Sequence, residues 1–267
     1  MDNAKLNIGK ISYTNLFPIF YMLEKECDCS SYVFREGVPS ELNRKLRDGT
    51  IDISPSSSIE YLRNPALYDI VEGHSVDSNG PVGSVLLFSK KPLEALDGET
   101  IHMTSQSDTS VVMLQIICAK FYGLSCRYEQ TSDPIGKALE SHAACLLIGD
   151  DALVHALRWP ELRVYDLGLL WKHFTGLPFT YALWLVRKDS AREKTALIAK
   201  FRTDLDRAKE HALADLRGIA KASPLRGPLG EQALVEYWQG ISYNFGADHK
   251  RGFDLFRRYA GELGLLS

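Results

Sequence analysis

The sequence predicts an α/β protein of two lobes with a ligand cleft between them, and three observations carry that prediction. Strand-like runs alternate with helical patterns over residues 6–186, the mark of βα units. Two apolar strand runs, 84–88 and 181–186, bracket a middle α/β block, so the chain crosses twice between an outer lobe and an inserted one. The length of 267 residues, at roughly 150 per domain, suggests two units, and 45% hydrophobic content supplies cores for both.

Leu6–Ile11 reads as a strand, 12–15 as a polar loop, and Pro18 as the first turn of a helix with an apolar run to Leu23. Residues 32–35 form the next strand. Val38-Pro39-Ser40 caps a helix over 41–48, with Leu42 and Leu46 on one face and Gly49 as its stop. A strand at 51–54, a hydroxyl loop at 55–58 and a helix from Ile59 repeat the unit. Glycine-punctuated residues 73–83 look like a hairpin before the doubly buried run 84–88. The middle block alternates strands at 100–103, 127–129 and Ala144–Ile148 with helices at 109–122, 134–141 and 150–157. Beyond Arg187 the patterns are helical, at 192–220, 229–240 and 250–263. The expected lobes are therefore 1–88 with 187–267, and 93–182, joined by hinge strands near 84–92 and 181–188.

Composition removes several function classes. Lys plus Arg total 31 against 34 for Asp plus Glu, a net charge of -3, so no cationic excess exists to neutralise a nucleic acid. The first residues carry Asp2 and Lys5 without the apolar run of an export signal, and no segment reaches the roughly 18–20 apolar residues of a membrane span. A cytoplasmic protein with no membrane partner is expected; its oligomeric state is not indicated. Five cysteines, an odd number with no CxxC pair, read as reduced thiols, with Cys118 and Cys145 as small buried hydrophobes. HExxH, GxSxG, GxGxxG and GxxxxGK[ST] are all missing, so no metal, nucleophile or nucleotide site is expected.

Four loops at strand ends hold the candidate ligand groups. Residues 105–110 put Ser107, Thr109 and Ser110 where a helix begins, so hydroxyls and free amides can cradle a carboxylate, or Asp108 or Thr109 can simply cap the helix. Ser56 or Ser57 could bind a ligand or cap the helix after them. Asn15 offers an amide donor and a carbonyl acceptor, or forms an Asx turn. Asp150 reads as a base, an orienting acceptor or a cap. The aromatic segment from Trp171 to Phe179 reads as packing beneath a hinge. A two-lobed protein closing on a small anionic ligand results, and the layout resembles a type-2 periplasmic binding protein.

Read in order, the motifs resemble the chorismate dehydratase family of the futalosine route to menaquinone, over most of the chain. The resemblance is carried by Ile8-Gly9 with Asn15-Leu16-Phe17-Pro18, by Val38-Pro39-Ser40-Glu41-Leu42-Asn43, by Gly49-Thr50-Ile51-Asp52-Ile53-Ser54 and by Ser57-Ser58-Ile59-Glu60-Tyr61. More diagnostic are Gly80-Pro81-Val82-Gly83-Ser84-Val85-Leu86-Leu87-Phe88-Ser89, Leu147-Ile148-Gly149-Asp150-Asp151-Ala152-Leu153, Asp166-Leu167-Gly168 to Trp171, Thr175-Gly176-Leu177-Pro178-Phe179 and Ala182-Leu183-Trp184.

The resemblance implies the binding-protein fold and a hydro-lyase that converts chorismate to 3-[(1-carboxyvinyl)oxy]benzoate and water without metal or organic cofactor. It assigns Asn15 and Ser84 to the reacting ring, and Ser107, Thr109 and Ser110 to a carboxylate. The proton acceptor is then the substrate's enolpyruvyl carboxylate, with Asp150 as the protein-borne alternative. The 105–108 stretch departs from the family loop, which varies there. Two other readings compete. The sister enzyme making 1,4-dihydroxy-6-naphthoate would bring a catalytic histidine into the cleft, with His74 and His173 as candidates. A solute-binding protein would need the export signal that the sequence does not show.

Overall fold

The computed structural model describes residues 5–131, 135–156, 158–159 and 161–266. Parallel strands β1 (Leu6–Ile11), β2 (Tyr32–Gly37) and β3 (Ile53–Ser57) alternate with α1 (Phe17–Glu26) and α2 (Pro39–Arg47). Pro18 enters α1 where the missing N–H costs no helical bond, and Pro39 does the same for α2. After α3 (Ser58–Arg63) comes the long β4 (Tyr68–Ser78), and β10 (Phe179–Arg187) inserts antiparallel between β3 and β4. With β11 (Ile241–Ser242) at the edge, the first sheet has the order β11-β4-β10-β3-β1-β2. The helix α9 (Thr195–Ala214) packs on it, where Phe20 and Phe201 both meet the ring of Trp184.

The second sheet comprises β5 (Val85–Ser89), β6 (Thr100–Thr104), β7 (Arg127–Thr131), β8 (Ala144–Ile148) and β9 (Arg163–Asp166), in the order β7-β6-β8-β5-β9. β5 runs antiparallel to both neighbours. On one face Ile101, Met103 and Leu87 join Val112 and Leu114 of α4 (Asp108–Ile116), which continues as a π-helical turn. On the other, Leu86, Phe88 and Cys145 meet α5 (Ile135–Ser141) and Ala152 of α6 (Gly149–His155). Burial on two faces removes most of the apolar surface of these strands, at about 25 cal/mol per Å². It also pushes the thiols of Cys118 and Cys145 up to about 12, so both are inert.

The chain passes between the sheets over residues 79–84 and returns over 176–178, after α7 (Leu167–Thr175). The C-terminal α13 (Ala247–Glu262) belongs to both cores, with Phe253 in the first and Phe256 in the second. There Trp171 packs against Phe179 and Phe256, as expected of the aromatic segment. Gly252 lets α13 lie on the Pro178 carbonyl, into which a Cβ would project.

Several expectations need correction. Residues 73–83 are no hairpin: β4 continues through Gly73, which takes φ 74° where the β10 ladder shifts register. The serines expected in a loop at 55–58 lie largely within β3. Pro55 is tolerated because the ladder with β1 is confined to Ile8 and Ile53, leaving no bond there for it to break. The run 84–88, assigned to the first lobe, is an inner strand of the second sheet, while β10 is an inner strand of the first. A run buried on both faces carries no mark of the sheet it joins. The short β9 and α7 were not expected at all. Helical pattern 192–220 divides into α8 (Lys188–Glu193), α9 and α10 (Leu216–Ala220), followed by α11 (Arg226–Leu229) and α12 (Glu231–Gly240). Parts of the helices expected at 134–141 and 150–157, namely Pro134 and Leu157, lie outside the described residues. Among the described residues, no helix is long and apolar enough to cross a membrane.

Candidate active site

The carboxyl ends of β1, β3 and β8 and the loop after β6 converge on a narrow cavity of about 60 Å³ between the sheets. Asn15, Ser57, Ser84, Ser107 and Ser110 all line it, so the fold gathers five of the predicted residues from four chain segments. Ser56, Thr109 and Asp150 are not among the lining residues.

Ser84 sits at the end of the 79–84 crossing. The Tyr237 hydroxyl, from α12, donates to its Oγ at 2.9 Å, which leaves the Ser84 hydrogen free to point at a ligand. Asn15 occupies a 3-10 turn, Thr14–Leu16, held by two distant aromatics. Tyr243 donates to the Asn15 carbonyl at 2.6 Å, and Trp238 Nε1 donates to the Thr14 carbonyl at 2.8 Å. Asn15 lines the cavity, and its side-chain Oδ1 is buried without a hydrogen-bond partner.

The α4 end is capped by Ser107, whose Oγ accepts from the Ser110 amide at 3.4 Å, rather than by Asp108 or Thr109. The hydroxyls of Ser107 and Ser110 remain together, 3.3 Å apart, at the positive end of the helix dipole. Thr109 turns elsewhere: its Oγ1 accepts the Ile59 amide at 3.1 Å and ties α4 to α3. Neither Ser56 nor Ser57 caps α3, since no side chain bonds at that terminus. The Ser57 amide instead donates to Asn43 Oδ1 at 3.2 Å, and the Ser56 hydroxyl is buried without a partner.

Asp150 opens α6 and reaches across the cleft, where its Oδ1 accepts the Thr14 amide at 2.8 Å. Burial raises its carboxyl to about 6; the Thr14 amide opposes that shift and the neighbouring Asp151 adds to it. Just before it, Gly149 takes φ 61°, and a Cβ there would stand 3.0 Å from the Tyr13 ring. Tyr13 in turn donates to Gln106 Oε1 from the opposite lobe.

Three tyrosines on the wall, Tyr13, Tyr181 and Tyr237, were not singled out by the sequence reading. Burial raises the pKa of each above its ordinary value, so all three are neutral donors. Tyr181 reaches the cavity because of a β-bulge. The register jumps between Thr180 and Ala182, so Tyr181 and Ala182 both line the wall although they are adjacent in sequence. No spacing rule applied to the sequence reveals a bulge, and Tyr237 lies in a helix with no local motif. Beside the cavity, Asp166 caps α7 and accepts the Val82 and Gly83 amides, the latter at 2.7 Å.

None of the lining residues is Lys, Arg, His, Asp or Glu. The polar groups the wall offers an anion are therefore neutral ones, hydroxyls, backbone amides and helix ends. His74 is paired with Asp206 at 2.8 Å, and His173 lies on α7 against Phe174; neither lines the cavity.

Residues 6–262 match the family model described as menaquinone biosynthesis. The chain belongs to the menaquinone biosynthesis family. It is 30% identical to chorismate dehydratase of Thermus thermophilus, over 95% of this chain and 94% of the relative. It is 25% identical to 1,4-dihydroxy-6-naphtoate synthase of the same species, over 55% of this chain and 53% of that one. Among solved structures, a protein from Archaeoglobus fulgidus superposes with a TM-score of 0.79 at 18% identity, covering 98% of both chains. The alkanesulfonate-binding protein of Xanthomonas axonopodis gives 0.72 at 18%, over 99% of this chain and 94% of its own. At such identities the likeness is one of fold: this member of the menaquinone biosynthesis family has the periplasmic-binding-protein architecture expected from its sequence.

Proposed function

We propose that the protein is a chorismate dehydratase, a cytoplasmic hydro-lyase that converts chorismate to 3-[(1-carboxyvinyl)oxy]benzoate and water at the head of the futalosine route to menaquinone. The observation that carries this reading is Asn15 and Ser84 facing one cavity, as the motif resemblance requires, in a chain 30% identical to a chorismate dehydratase over nearly its whole length.

The neutral wall suits the chemistry. The ring hydrogen beside the enolpyruvyl ether leaves as a proton, the adjacent C–O bond breaks, and the departing hydroxide takes up a proton to become water. Aromatisation drives the step, so positioning and a few aimed donors suffice. Ser84, its oxygen already taken by Tyr237, donates to the departing hydroxyl, and the side-chain amide N–H of Asn15 steadies negative charge on the ring. Ser107 and Ser110 hold a carboxylate at the α4 dipole, with Ser57 on the facing wall. With no basic side chain on the wall, the enolpyruvyl carboxylate of the substrate is the proton acceptor, and Asp150, fixed to Thr14, orients the Asn15 turn. Ser56 and Thr109 support the site from behind. No step calls for a metal or organic cofactor.

The two sheets act as the lobes, hinged at 79–84 and 176–178, and the narrow cavity opens to admit substrate. Incubation with purified chorismate tests the proposal. The diene absorbance should disappear and one equivalent of the aromatic ether should form, with chelator present or not. Unchanged chorismate recovered from a tight complex would identify a binding protein instead.

A further inference from the structure

On the face of the second sheet opposite Ile101 and Met103, three side chains from separate segments converge. His102 stands on β6, Glu129 is its register partner on β7, and His142 lies between α5 and β8. One ligand atom from each comes within 4.8 Å of the others. Both imidazole Nε2 atoms lie 3.7 Å from the same carboxylate oxygen, Glu129 Oε2, and the two rings stack with centroids 3.6 Å apart.

We propose that His102, Glu129 and His142 form a binding site for a divalent transition metal, zinc by preference, distinct from the catalytic cleft. Two imidazole nitrogens and one carboxylate oxygen are a borderline-soft set that suits zinc with water in the fourth position; magnesium and calcium require oxygen donors. Zinc bonds of 2.0–2.2 Å put tetrahedral donors roughly 3.3 Å apart. The two histidine–carboxylate separations therefore need to close by only a few tenths of an ångström, while the stacked rings splay. Glu129, 60% exposed, and His142, on the loop after α5, supply that movement while β6 holds His102 in place. Ser141 adds an outer shell. Its Oγ lies 2.8 Å from His142 Nδ1, and a hydrogen held there leaves the Nε2 lone pair for the metal.

The position also gives the metal a structural task. β7 is an edge strand of this sheet, and a metal spanning β6, β7 and the entrance to β8 clips that edge in place. The expectation of no metal ligands rested on spacing along the chain. Here strand pairing, not local spacing, assembles the ligands.

Chelator-stripped full-length protein should bind one equivalent of zinc sulfate at this site by titration calorimetry and melt at a higher temperature with zinc present, whereas magnesium should do neither. His142→Ala and Glu129→Gln alter partly exposed side chains, so circular dichroism should show intact folds. Each should weaken zinc binding by about 100-fold or more, and Ser141→Ala by about tenfold. The readout is independent of chorismate turnover. Wild-type protein that binds no zinc, or His142→Ala and Glu129→Gln variants that lose less than about tenfold, would overturn the proposal.

Discussion

The residue that concentrates the proposed chemistry is Ser84, because its hydroxyl is polarised from behind. Tyr237 supplies a hydrogen bond to Ser84 Oγ and, with its pKa raised by burial, remains a donor through the neutral range. Removing a donor used mainly in the transition state lowers kcat and leaves KM nearly unchanged. Ser84→Ala and Asn15→Ala should therefore cut kcat by about 10², if each resembles one oxyanion-hole donor. Tyr237→Phe leaves the serine in place and should cost about tenfold. Ser110→Ala should chiefly raise KM, because a carboxylate is held alike in ground and transition states. Steady-state kinetics on the four variants separates the classes; wild-type kcat in Ser84→Ala and Asn15→Ala would sink the assignment of roles. Ser84 and Asn15 were legible in the sequence because each sits in a recognisable motif at a strand end. Tyr237 was not, since its contact depends on how a distant helix packs.

At the scale of elements, the first crossing is held by α7, a helix the sequence reading missed. Residues 167–175 follow a short, half-exposed strand and carry no long apolar period, so neither periodicity rule marks them. The structure makes α7 an anchor. Asp166 caps it through the Leu169 amide at 3.0 Å and also accepts the Val82 and Gly83 amides. Gly168 allows the close approach, for a Cβ there would come within 2.6 Å of the Gly80 carbonyl. Loss of a cap costs about 1 kcal/mol, and two loop amides left without their charged acceptor add a similar amount each. Asp166→Ala should thus destabilise the fold by about 2–3 kcal/mol, whereas Asp166→Asn, which keeps one acceptor oxygen, should cost less. Denaturant unfolding of both variants checks this, and equal losses would show that charge rather than acceptor geometry holds the crossing. The βα units before residue 63 and the strands at β6 and β8 were legible because their apolar runs end at polar segments marked by Ser, Asn, Asp, Pro or Gly. Sheet membership of β5 and β10 was not, because it depends on pairing between distant segments.

For the whole molecule, the cleft is spanned by bonds that join one lobe to the other: Tyr13 to Gln106, the Ile59 amide to Thr109, the Ser40 amide to the Gln106 carbonyl, and the Thr14 amide to Asp150. Asp150 makes this closure depend on pH. Its carboxyl is raised from 3.8 to about 6, chiefly by burial, so the folded, closed form binds a proton more tightly than the unfolded chain. For an acid shifted upward, the stabilisation is fully present below about 4 and is lost as pH rises through about 6, beyond which it is flat. Opening the lobes hydrates the carboxylate and acts in the same direction, so alkaline conditions favour the open cleft. A rise from 3.8 to about 6 corresponds to at most about 3 kcal/mol. Asp77, also buried and raised to about 7, contributes a trend of the same sign, so the wild-type curve alone does not isolate Asp150. Comparison with Asp150→Asn does, because the amide keeps an acceptor for Thr14 and does not titrate. The melting temperature of wild type minus that of Asp150→Asn should fall between pH 4 and pH 7 and then level off. Parallel curves across that range would show that the carboxyl titrates at its ordinary value, and that the link between Thr14 and Asp150 carries no pH signal.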